Sequence, residues 1–92
     1  MKDISGIKLW MSQAEKAFKR LQSRPTDFAW NELIAVMDSL GYELKVQPGS
    51  SRKFMHRTTR AVLMMHQPHP ANVLKHYQVR DVLKFLKQEK HL

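Results

Sequence analysis

The spacing of apolar residues changes from helical to alternating at Gly41, and this change decides which fold classes are open to the chain. Before it, Trp10, Ala14, Ala17, Phe18 and Leu21 recur at steps that place them on one side of a helix over residues 7–22. Lys16, Lys19 and Arg20 fall on the other side, and Pro25 stops the run. A second helix is predicted over residues 29–40, burying Trp30, Leu33, Ile34, Met37 and Leu40. Asp27 is the expected cap near its start, and Gly41 stands where a helix end calls for positive φ.

Beyond Gly41, Tyr42, Leu44 and Val46 alternate with Glu43, Lys45 and Gln47, the pattern of a half-buried strand. Residues 48–51 read as a turn, residues 52–56 as a weakly alternating strand, and residues 57–60 as a second turn. The continuous apolar run at residues 61–66 is predicted to be the most buried strand, and Pro68 and Pro70 end it. A closing helix is expected over residues 78–87, with Val79, Val82, Leu83 and Leu86 on its apolar face. The order is α-α-β-β-β-α. Three strands joined by short turns make an antiparallel sheet that helices must cover on one side, so the class is α+β in two layers. A chain of 92 residues suits a single domain, residues 1–92, with a thin core.

Charge is distributed unevenly. The formal net charge is +8, and no carboxylate occurs between Glu43 and Asp81. That stretch holds Lys45, Arg52, Lys53, Arg57, Arg60, Lys75 and Arg80, together with His56, His66, His69 and His76. Such a surface suits a polyanion, and binding to nucleic acid through it would weaken steeply with salt. The missing carboxylates argue against a two-metal nuclease, so any chemistry here is expected to be metal-independent and free of cofactors. Without cysteine there is no disulfide, thiolate nucleophile or Cys-based zinc site; a zinc ion on His66 and His69 would lack an evident fourth ligand. No apolar run is long enough to span a membrane, and a cytoplasmic location is expected.

Metal-free RNA cleavage, which is what the family resemblance set out in the next paragraph implies, needs a base for the 2′-OH proton, an acid for the leaving oxygen, and cations for the charge that develops on phosphorus. Histidine suits both proton roles. His66 closes the third strand, His69 lies between two prolines, and His56 closes the middle strand, where an antiparallel neighbour would bring it near His66 or Ala61. Arg52 and Lys53 are the expected phosphate holders, although alternation sends them to opposite faces. Ser50, Ser51, Arg57, Arg60, Lys75, Arg80 and Lys84 complete the candidate RNA-binding set, with Arg80, Lys84 and Lys87 on one helix face. Trp10, Phe18 and Trp30 read as core, and Met37, Met55, Met64 and Met65 as adaptable filler.

Leu-Gly-Tyr at residues 40–42, a strand, and then Gly-Ser-Ser-Arg-Lys-Phe at residues 49–54 resemble the HicA toxins of bacterial type II toxin–antitoxin pairs. His66-Gln67-Pro68-His69-Pro70 and Leu74-Lys75 extend the resemblance, which covers about residues 30–85. They are similar to the branch with a His-x-Pro-His-Pro segment and an added N-terminal helix. The resemblance implies an α-β-β-β-α core at residues 28–88, similar to double-stranded-RNA-binding domains, with residues 1–24 as the added helix. It also implies an mRNA interferase, a metal-independent endoribonuclease acting on mRNA and neutralised by a HicB-type antitoxin. The family's usual catalytic histidine, just after Gly-Ser, falls here on Ser51 and Arg52. Either another histidine does the work, or the chain is an RNA-binding module of the same fold that does not cut. A third reading is a basic domain that binds only an acidic protein. Oligomeric state is not indicated.

Overall fold

The computed structural model describes residues 12–92. Three helices and three strands follow in the expected order: α1 (Gln13–Gln22), α2 (Trp30–Ser39), β1 (Tyr42–Val46), β2 (Ser51–His56), β3 (Val62–His66) and α3 (His76–Gln88). The strands form one antiparallel sheet in the order β1-β2-β3. Among the described residues, no helix is long and apolar enough to cross a membrane.

Of the helix read over residues 7–22, residues 7–11, with Trp10, lie outside the described residues, and the rest does not continue from them as one helix: Ser12 has extended backbone and caps a helix that starts at Gln13. What is described starts at a capping box, in which Ser12 Oγ accepts from the Glu15 N–H at 3.0 Å and Glu15 Oε1 accepts from the Ser12 N–H at 2.8 Å. Asp27 does not cap α2. Ala29 is the N-cap residue, and its N–H donates to Glu32 Oε1 at 2.9 Å. Asp27 instead accepts from Arg20 Nη1 at 2.8 Å, while Arg20 Nη2 lies 2.6 Å from Glu32 Oε1. This cluster fastens α1 to the start of α2. The helix buries Trp30, Leu33, Val36 and Met37, leaving Ile34 and Leu40 half-buried, so Val36 takes the place expected of Leu40.

Gly41 ends α2 at φ +98, and a Cβ there would sit 2.7 Å from His56 Nε2. Glycine is needed for both reasons. From this point Tyr42, Leu44, Phe54, Leu63 and Met65 turn toward the helices, with Tyr42 and Phe54 fully buried among Leu21, Phe28, Leu33 and Leu86. Ala17 and Leu21 of α1 belong to the same core.

The third strand is not the most buried one. It lies at the sheet edge, with β2 in the middle, and its alternation sends Val62 and Met64 outward, 41% and 57% exposed. An uninterrupted apolar run fits burial on both faces, but the helices cover only one face of this sheet, the one to which Leu63 and Met65 turn. The last helix starts at His76, two residues earlier than its apolar spacing suggests. Gln78 explains the difference: its Oε1 accepts from the Lys75 N–H at 3.0 Å and satisfies a free donor at the helix start.

Candidate nucleic-acid interface

The sheet face turned away from the helices brings together Ser51, Lys53 and His66. The register places Ser51 directly opposite His66, Lys53 between Lys45 and Met64, and Met55 between Glu43 and Val62. Gln67 N donates to Ser50 O and His56 N to Ala61 O, so the ladder bonds to β3 fall at every second residue. Ser51 and His66 therefore form a pair between ladder bonds, the kind whose Cα atoms approach to about 4.5 Å.

His66 is held from three directions. Its ring Nδ1 lies 3.1 Å from Ser50 Oγ on the β1–β2 turn, its cross-strand neighbour is Ser51, and its carbonyl accepts from Gln78 Nε2 at 2.9 Å. Gln78 is 4% exposed, and its other amide atom is engaged at the N-terminus of α3. Among the described residues Nε2 of His66 has no hydrogen-bond partner. When Nδ1–H donates to Ser50 Oγ, the Nε2 lone pair faces outward as a proton acceptor; the other tautomer presents an N–H donor instead.

Lys53 follows Ser51 on the same face, directly opposite Lys45. Like charges directly opposite each other on a sheet are destabilising, and Glu43, 3.2 Å from Lys45 Nζ, offsets only one of them. Lys53 has no carboxylate within ion-pair distance among the described residues. A face that keeps such a pair is suited to an anion.

The remaining candidates divide by their partners. Arg52 turns to the helix side, where its guanidinium donates to the Gly49 and Ser51 carbonyls at 3.0 and 2.7 Å and to Gln67 Oε1 at 3.1 Å. It holds the turn that presents Ser50 and Ser51. Arg57 is paired with Asp38 at 2.7 Å and Glu43 at 3.6 Å. Arg60 is exposed in the β2–β3 turn at φ +67. Lys75 and Lys84 are exposed on α3 and its cap, and Arg80 lies 3.2 Å from Asp81.

Of the three catalytic candidates, His56 stands apart from His66 and His69. His56 lies on the helix side at the far end of β2, about 15 Å of strand away from Ser51. Its Nδ1 accepts from the Thr58 and Thr59 N–H groups at 3.1 Å each, and its ring meets Tyr42 edge-on at 4.8 Å. It pairs with Ala61, not His66. His69 is exposed in the connection between β3 and α3. Among the described residues no three His, Cys, Asp or Glu side chains are grouped to hold a metal ion.

Sequence reasoning did not single out Gln78 or Gln67. For Gln78 a signal was present, since a glutamine three residues after the N-cap position marks a helix start. Gln67 showed none.

A family model described as the HicA toxin of bacterial toxin–antitoxin matches residues 30–88, from α2 through α3, with α1 outside the matched segment. No curated protein and no solved structure matches the chain.

Proposed function

The chain belongs to the HicA toxin family, and from that premise we propose that it is a metal-independent mRNA endoribonuclease whose base is His66. The pairing of Ser51 with His66 carries this reading. The family's usual histidine position, after Gly-Ser, is occupied by Ser51 and Arg52, while an imidazole stands on the adjacent strand at the residue facing Ser51. Two Cβ atoms so paired are about 5 Å apart, within the reach of one side chain. A histidine on β3 therefore serves the patch that a histidine on β2 would serve.

With Nδ1–H donating to Ser50, Nε2 of His66 takes the proton of a 2′-OH as that oxygen attacks the adjacent phosphorus. The P–O bond to the 5′ oxygen breaks, leaving a 2′,3′-cyclic phosphate and a 5′-hydroxyl. A proton must reach the departing oxygen, and His69 is the candidate donor. Lys53 balances the charge on the phosphoryl oxygens from the same face. Among the described residues Asp81 is the one carboxylate in the groove that His66 lines, too few for a pair of catalytic divalent ions, which leaves proton transfer to histidine. Arg52 serves by holding the 47–51 turn. The formal charge of +8 suits an acidic HicB-type antitoxin covering this face.

The test is a time course of end-labelled RNA with purified protein in low salt and excess EDTA, beside His66→Ala. Cleavage by the wild type alone supports the reading. A second reading, an RNA-binding module without turnover, draws on Arg52, whose guanidinium is occupied by turn carbonyls where the family has a histidine. It predicts RNA that shifts on a native gel but stays intact. Capture of an acidic protein without any RNA affinity would leave only the third reading.

A further inference from the structure

Arg24, from the turn after α1, and Arg80, Lys84 and Lys87, from α3, line one groove of about 590 Å³ together with Gln22, Leu83 and Leu92. It lies on the opposite flank of α3 from the groove that His66, Gln78 and Asp81 line against β3. On α3 the three cations are spaced four and three residues apart, so they form a row about 10 Å long on one helix face. Among the described residues no Asp or Glu lines the groove, and no ion pair engages Arg24, Lys84 or Lys87. Arg80 alone is paired, with Asp81 beside it.

Arg24 holds an unfavourable backbone to be there. Its φ is +57, the left-handed region that glycine occupies at little cost, just after the end of α1. Its backbone N–H closes the helix end on Leu21 O at 3.0 Å, which any residue could do, while its side chain is exposed and makes no hydrogen bond among the described residues.

We propose that this groove is a second phosphate-binding site, which grips the backbone of an RNA strand away from His66. It joins the part of the chain outside the family-matched segment to α3. The lining favours RNA over a protein partner. Protein interfaces depend on buried aromatic and apolar anchors, and this groove has no aromatic residue and only Leu83 and Leu92 as apolar lining against four cations; phosphate contacts need only cations that can reach. The proposal rests on RNA being the polyanion of this chain.

The experiment measures the affinity of the full chain for a labelled single-stranded RNA across a salt series. The comparison is between wild type, Arg24→Ala/Lys87→Ala, and Lys16→Ala/Lys19→Ala, which removes the same charge elsewhere on α1. Losing two phosphate contacts lowers the slope of log K against log salt by about 1.4 for single strands. The groove variant is expected to show that drop, and the control to keep the wild-type slope. Equal slopes in both variants overturn the site. Wild type that binds no RNA overturns the site and the proposed function together, so the two failures are distinguishable. Arg24→Gly separates binding from folding: the glycine relieves the backbone, so Tm holds or rises while RNA affinity falls. A parallel fall in both would make Arg24 a structural residue and overturn its part in the site.

Discussion

Gln78 reaches from the first turn of α3 to the end of β3, where its Nε2 donates to the carbonyl of His66 at 2.9 Å. One buried amide thus sets both the start of a helix and the end of the strand bearing the proposed base. Gln78→Ala is expected to lower stability by about 1–3 kcal/mol, because a part-buried carbonyl and a helix-start N–H lose their partners together. Gln78→Glu keeps the acceptor for Lys75 N–H but sets a carboxylate against the His66 carbonyl, and is expected to be no better tolerated. Thermal unfolding followed by circular dichroism checks both.

Moving the imidazole back across the sheet tests the pairing directly. His66→Ala is expected to reduce cleavage by about 10²–10⁴-fold, the range for losing a general base. Adding Ser51→His to that variant places the ring on the facing residue of β2 and is expected to restore part of the rate. Cleavage rates of the single and double variants on one RNA settle the matter; no recovery would mean that the surroundings of His66, and not its patch alone, are required.

His56 is expected to act on stability and not on chemistry. Its Nδ1 is the acceptor for two turn N–H groups, and its ring packs on Tyr42. His56→Ala should cost about 1–3 kcal/mol, while cleavage per folded molecule stays at the wild-type level. Tm and active-fraction rates measured on one preparation give both numbers.

Acid should loosen the attachment of α1. Burial pushes the Glu32 carboxyl up, but the Ala29 N–H and the Arg20 guanidinium outweigh it and hold the group below its ordinary value of 4.5. Arg20 lowers Asp27 in the same way. A carboxylate whose folded value is depressed stabilises fully above its unfolded value and loses that contribution as pH falls through the folded one. Wild type should therefore lose stability below about pH 4.5 more steeply than Glu32→Gln. The two should differ by about 0.5–1 kcal/mol at neutral pH, after allowing for solvent screening of a part-exposed pair, and converge in acid. Denaturant midpoints at pH 7 and pH 3 measure this.

Much of the architecture was legible because local chemistry decides it. Gly41 marks the end of α2, the alternation after it marks β1, and Val79, Val82, Leu83 and Leu86 all lie in the core as spaced. What was not legible depends on neighbours far along the chain. The run at residues 61–66 reads as doubly buried, and only the packing of helices on one face of the sheet leaves Val62 and Met64 exposed. Asp27 has the chemistry of a cap, but Arg20 draws it away. The Ser12–Glu15 capping box was open to reading from spacing alone and went unread. At the site, His66 was visible as a candidate. Its alignment with Ser51 was not, since turn geometry sets register and no single residue type announces it.

That alignment ties chemistry to chain length. Residues 57–60 make the turn that fixes how β3 slides along β2. One residue more or fewer there, taken up as a slip, would rotate every side chain of β3 by half a period, turning His66 inward toward the core and Met65 outward in its place. Relatives that use this arrangement should vary freely in the letters of that turn and hardly at all in their number.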